Sequence, residues 1–204
     1  MVFMYINIYM STREPSSNFK SKSSLVGQLL IANPGNPRDE LNRSTVLIVE
    51  ETVHYITGIQ INHKLDLMDL GSLSIGLGID YQGTDPIYFG GNNKAGKIHM
   101  IHSLDWRSMS TIEITDHIGM TSDIGILAAI SQGEGPELFR ACAGYWNWNS
   151  LDLIRQVQSN EKDELHHRWE CLPATLETVF GQDGREQWVY ALEESAKKQV
   201  SHWL

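Results

Sequence analysis

Apolar residues fall first in short clusters, not in long helical stripes. Leu29-Leu30-Ile31-Ala32 is a continuous apolar run of the kind shown by a strand covered on both faces. Five turn-favouring residues, Asn33-Pro34-Gly35-Asn36-Pro37, end it. Thr45-Val46-Leu47-Ile48-Val49 restarts as a β-branched strand and closes on Glu50-Glu51. Thr57 to Asn62 alternates at period two, with Ile59 and Ile61 on one face and Gln60 and Asn62 on the other. Three strands in close succession with short links predict an antiparallel start to a sheet.

Beyond Asn62 the pattern is mixed. Apolar residues at Leu65, Leu67, Met68 and Leu70 fit a short helix ended by Gly71, and the glycine-rich stretch to Gly83 reads as a loop. Ile87-Tyr88-Phe89 is a strand, Gly90-Gly91-Asn92-Asn93 a tight turn, and Lys97 to His102 a strand closed by Asp105-Trp106. Thr111 to Thr115 alternates cleanly. Thr121 or Ser122 can cap a helix to about Ser131, with Asp123 at its positive end and Gly133 as its stop. Phe139 to Tyr145 is a strand leading into Trp146-Asn147-Trp148-Asn149, and Ser150 caps a helix to Val157. A last helix over residues 185–202 sets Trp188, Ala191, Leu192, Ala196 and Val200 on one stripe. Strands early and helices late predict α+β, not a βαβ alternation.

At 204 residues, 41% hydrophobic and 20% charged, the chain suits one soluble domain with a core of its own. Residues 1–24 are Ser- and Lys-rich after a short apolar start and read as a flexible tail, with Met1 or Met10 as the start, followed by a single domain over 25–204. That start is too short to span a bilayer, and no membrane contact is expected. Cys142 and Cys171 form neither a CxxC pair nor a disulfide framework, so a reducing, cytoplasmic setting is the reading. The net charge of −9 lies in the folded body, since the first 24 residues hold three basic residues against Glu14. Such a body repels a phosphate backbone, which disfavours direct nucleic-acid binding.

The apolar strand Leu30-Ile31-Ala32 with Pro34, the Ser44–Glu50 strand and Gly58 through Asn62 resemble the opening of the YqgE/AlgH family. Gly90-Gly91, Thr121-Ser122-Asp123, Gly144-Tyr145 with Trp148, Trp169, Pro173-Ala174 and Phe180 continue the resemblance in family order. Glu51, His63-Lys64, Asn92 and Asn149-Ser150 stand where members differ, so the chain resembles a divergent member. The resemblance implies an α+β fold on a large mixed, mainly antiparallel sheet with flanking helices. It also carries the family's label of transcriptional regulator, without an activity.

Candidate chemistry is thin. His99 and His102, three apart on a strand, point to opposite faces and cannot easily share an ion, and adjacent His166-His167 diverge likewise, so no metal is assigned. Ser72 stands where a Gly-x-Ser-x-Gly elbow would need glycine, and Gly76 to Tyr81 lacks the third glycine of a dinucleotide loop. Gly133-Glu134-Gly135-Pro136 could cradle an anion, but Glu134 and Glu137 oppose one. No catalytic residue and no cofactor are assigned. The binding candidates are Glu50, Asn62 and Asp123 at element ends, and Tyr145, Trp146 and Trp148, the densest aromatic group. The reading is a non-enzymatic regulatory or adaptor protein acting through a protein partner. The alternative is a small-molecule-binding protein or enzyme with a pocket near Glu50, Asn62, Asp123 and Tyr145.

Overall fold

The computed structural model describes residues 24–35, 38–158 and 169–201. The predicted tail, the Asn36-Pro37 part of the first turn, His166-His167 and the last residues of the C-terminal helix lie outside them.

The predicted α+β architecture is present. Ten strands are joined in one sheet in the order β10-β1-β2-β3-β9-β6-β8-β7, with β5 paired to β9 and β4 to β5. The strands are β1 (Gln28–Ala32), β2 (Thr45–Glu51), β3 (Tyr55–Gln60), β4 (Lys64–Asp69), β5 (Pro86–Phe89), β6 (Asn93–Ser103), β7 (Ile112–Glu113), β8 (Ile118–Thr121), β9 (Phe139–Asn149) and β10 (Trp169–Pro173). Five helices flank them: α1 (Leu70–Leu77), α2 (Gly125–Ser131), α3 (Ser150–Gln158), α4 (Leu176–Phe180) and α5 (Gly184–Ser201). Every pairing is antiparallel except β5 with β9.

The long strand β9 organises the sheet. Its first half is flanked by β6 on one side and β5 on the other, and its second half, Trp146 to Asn149, passes to β3. The predicted tight turn at residues 90–93 is instead a crossing. Since β5 and β6 lie on opposite sides of β9, Gly90-Gly91-Asn92 carries the chain from one side to the other. Contact is close enough that a Cβ on Gly91 would sit 2.2 Å from the Tyr145 carbonyl carbon, and one on Gly144 would sit 2.3 Å from the Gly91 oxygen. Gly144 also has φ +76, so glycine is required there twice over.

Four further expectations are corrected. Residues 64–69 are strand, not helix: Lys64 and Asp69 pair with Tyr88 and Pro86 of β5, with an irregularity between them, and the helix starts after Asp69, whose carboxylate accepts the Ser72 amide at 2.7 Å. Gly71 is thus inside α1, and part of the expected loop is helical. Neither Thr121 nor Ser122 caps α2; Thr121 belongs to β8, and the Asp123 carboxylate accepts the Gly125 amide at 2.9 Å. Asn149, not Ser150, offers its side chain to the α3 start, while the Ser150 hydroxyl bonds Thr52. The regular strand predicted at 111–115 shrinks to Ile112–Glu113, and β8, β10 and α4 carry too little periodic signal to have been assigned.

The core is layered around the sheet. Leu29, Leu47, Ile59, Ile101, Ile118 and Cys142 fill one side, closed by α4 and Phe180. Leu30, Val46, Ile48, Ile56 and Trp169 pack under α3, and Ile87, Met100 and Ala141 under α1 and α2. Helix α5 seats Trp188 and Ala191 on Ile31 and Leu172. Its stripe turns from the one predicted: Ser195 is buried, whereas Ala196 and Val200 are exposed, because the helix runs past the sheet.

Candidate functional site

A cleft of about 560 Å³ opens between the start of β9, β5, the first residue of β4 and the α4–α5 link. Its floor is Arg140, a lone cation in the otherwise apolar run Leu138 to Ala143 and only 6% exposed. Burying a guanidinium is costly unless its donors are satisfied. Here its two terminal nitrogens donate to the Ile61 carbonyl, to Gln187 Oε1 at 2.8 Å and to the Gln182 carbonyl at 3.0 Å. The guanidinium also lies 4.4 Å over the Tyr88 ring. Gln187, itself fully buried, donates to the Thr178 and Val179 carbonyls at 3.1 Å, so one polar knot ties α4 and α5 to the sheet.

Beside this knot, the Tyr88 hydroxyl donates to Asp183 Oδ1 at 2.7 Å and Lys64 pairs with the other carboxylate oxygen. Burial pushes the Tyr88 hydroxyl well above its ordinary range. Burial alone would raise Asp183, but hydrogen bonds from Lys64 and Tyr88, with the Arg140 charge, hold it below the usual carboxylate range. Phe139 and Phe180 supply apolar wall, and Asp85, Glu137 and Glu186 bring further carboxylates to the cleft.

The candidates from sequence do not converge here. Glu50 and Tyr145 reach one face near the β3–β9 pairing, where Glu50 accepts from the Tyr55 hydroxyl at 3.3 Å and from Thr57 at 3.4 Å. Tyr145 meets the His99 ring edge-on at 5.9 Å, and His99 Nδ1 is 3.1 Å from the Ser122 hydroxyl, next in sequence to exposed Asp123. Asn62 lies elsewhere, 4% exposed, accepting the Thr45 amide at 2.9 Å and donating to Arg43 and Gly184 carbonyls. Trp146 and Trp148 alternate to the opposite face, stacked at 6.3 Å; Trp146 donates to Gln60 at 3.1 Å and Trp148 meets Trp169 edge-on at 6.2 Å. Sequence reading missed Arg140, Tyr88 and Asp183. The one available signal was an arginine inside an apolar strand.

A different surface is exposed and apolar. Leu67 is 96% and Ile75 79% exposed, with Met68 and Leu77 exposed beside them on β4 and α1. Helix α1 contains no charged residue, and it buries only Leu70 and Ser74.

Fold and surfaces together define an α+β scaffold with a polar-floored cleft and exposed apolar side chains on β4 and α1. The family model described as AlgH-like matches residues 29–199, and the chain belongs to that family, whose biochemical activity is not established. It is similar to a UPF0301 protein of Sphingopyxis alaskensis, 26% identical over 171 residues that cover 83% of this chain and 88% of the relative. A UPF0301 protein of Cereibacter sphaeroides is 30% identical over 168 residues, covering 80% and 88%. The solution structure of the AlgH protein from Pseudomonas aeruginosa superposes with TM-score 0.67 at 23% identity, covering 86% of this chain and 92% of that one. A crystal structure from Corynebacterium diphtheriae gives 0.64 at 16%, covering 82% and 85%. Both likenesses concern the fold. No helix among the described residues is long and apolar enough to cross a membrane.

Proposed function

We propose that this protein is a non-enzymatic regulatory or adaptor protein that acts through a protein partner. The observation that carries the reading is the apolar face of β4 and α1. A helix without a charge, apolar on more than its buried side, is normally covered. Here Leu67, Met68, Ile75 and Leu77 meet solvent within one short stretch of chain, where the uncharged helix and a methionine suit an adaptable interface with Asp66 and Asp69 as polar neighbours on β4. The acidic body sets its partner apart from nucleic acid.

The test places a photocrosslinking amino acid at Ile75, and separately at Val200, which is also exposed and apolar but distant in sequence and isolated. Crosslinking in the native host is expected to give a discrete protein adduct from position 75, absent from position 200 and lost on Leu67→Lys. The same adduct pattern from both positions would reject the face as a partner site.

A further inference from the structure

We propose that the cleft between β9, β5 and the α4–α5 link binds an aliphatic cation, a guanidinium or ammonium group on an apolar stem. The inference rests on the charges that remain available in the cleft and is independent of the β4–α1 face. Both cations of the wall are engaged. Arg140 is enclosed by the Ile61 and Gln182 carbonyls, the Gln187 side-chain oxygen and the Tyr88 ring. Lys64 is held by Asp183. The wall sets four carboxylates, Asp85, Glu137, Asp183 and Glu186, against those two cations, so its net charge disfavours an incoming anion. An incoming cation meets Asp85, Glu137 and Glu186, none of which forms an ion pair with a described residue. Asp85 accepts the Tyr81 hydroxyl, and Glu186 in the first turn of α5 is partly offset by the helix terminus; Glu137 has neither support for its side chain.

Shape agrees with that chemistry. Phe139 and Phe180, each half-buried, give a methylene stem an apolar wall below the carboxylates. About 560 Å³ is within the range of sites for small ligands or single side chains. The cleft also shares Gln182 and Glu186 with a second groove of about 470 Å³ that runs along α5 past Val189 and Tyr190. A ligand chain therefore has a path out of the cleft along the helix.

The experiment is a two-dimensional amide NMR titration of the full chain with three probes. These are agmatine, the blocked tripeptide Gly-Arg-Gly and the blocked tripeptide Gly-Glu-Gly. Saturable shifts confined to amides of residues 137–141 and 181–187 are expected with a cationic probe and not with the acidic one. Response to agmatine alone assigns the cation to a free amine; response to Gly-Arg-Gly assigns it to a peptide side chain. Glu137 and Glu186 are both exposed, so E137Q/E186Q is expected to fold and to weaken binding at least about fivefold. Absence of saturation with both cations, equal shifts from the acidic probe, or unchanged binding in the double variant would each overturn the proposal.

Discussion

At the scale of single residues, the buried polar groups carry the most specific consequences. His99 is 7% exposed, and its Nε2 is buried with no hydrogen-bond partner among the described residues. Burial, helped by the Lys97 and Lys94 charges, lowers it from 6.5 to about 4. The unfolded chain therefore binds a proton that the folded chain refuses. The stability this residue leaves intact above pH 6.5 is lost as pH falls toward the folded value, about 2 kcal/mol by pH 5. Urea unfolding of the wild type at pH 7.5 and 5, beside His99→Leu, measures it: the variant is expected to lose less stability over that interval. Equal losses would show that His99 stays solvated or is protonated in place. Sequence placed His99 and His102 correctly on opposite faces of a strand, but burial of the ring depends on Tyr145 of β9 and on Ser122, the residue after β8. Asn62, a binding candidate by sequence, is a buried amide, 4% exposed. Its partners Thr45, Arg43 and Gly184 come from up to 122 positions away, so no local pattern could name them.

At the scale of elements, periodicity located those strands whose burial follows a simple pattern and failed where packing overrides it. The apolar runs of β1 and β2 were legible because each is buried nearly throughout, and β3 was legible from its alternation of apolar and polar residues. Even there Gln60, assigned to a polar face, is fully buried, accepting from Trp146 and donating to the Ser44 hydroxyl at 2.8 Å. Around β4 and α1, apolar residues that face solvent imitate a helical stripe, so the boundary at Asp69 was misplaced by half an element. The second half of β9 is where the two roles of an aromatic side chain separate. Phe89, Trp146, Trp148 and Trp169 form a ladder of ring contacts at 6.1, 6.3 and 6.2 Å across the layer that α3 covers. Trp148→Ala is accordingly expected to cost about 2–3 kcal/mol in urea unfolding, less than a fully buried tryptophan because the ring is half-buried. A loss under about 0.5 kcal/mol, typical of a surface substitution, would place the ring outside the packing.

At the scale of the molecule, the α+β class and the mainly antiparallel sheet were legible from strand-rich and helix-rich halves, but the topology was not. Nothing local in the sequence announces that β10 returns to pair with β1, or that β5 and β6 flank the same strand. Those pairings join residues far apart in the chain, as Gln28 with Pro173, and α5 adds another long link, with Trp188 donating to the Ala32 carbonyl across 156 positions. Their consequence is cooperative. β9 pairs with β3 in one half of the sheet and with β5 and β6 in the other, so neither half can open without stripping one side of the shared strand. Unfolding is therefore expected to be a single transition despite four separate core clusters. Fluorotryptophan labelling gives each half its own reporter, Trp106 in the layer under α1 and α2 and Trp188 on the β1 side. Both resonances should lose native intensity at one urea midpoint. Gly119→Ala should lower that midpoint for both, since its Cβ would lie 2.7 Å from the Leu104 side chain and 3.0 Å from that of Thr111, an overpacking worth about 1–3 kcal/mol. If Trp106 alone shifted, the β6–β8 half would be an independent unit and β9 would be a hinge between two sheets, not the strand that binds them.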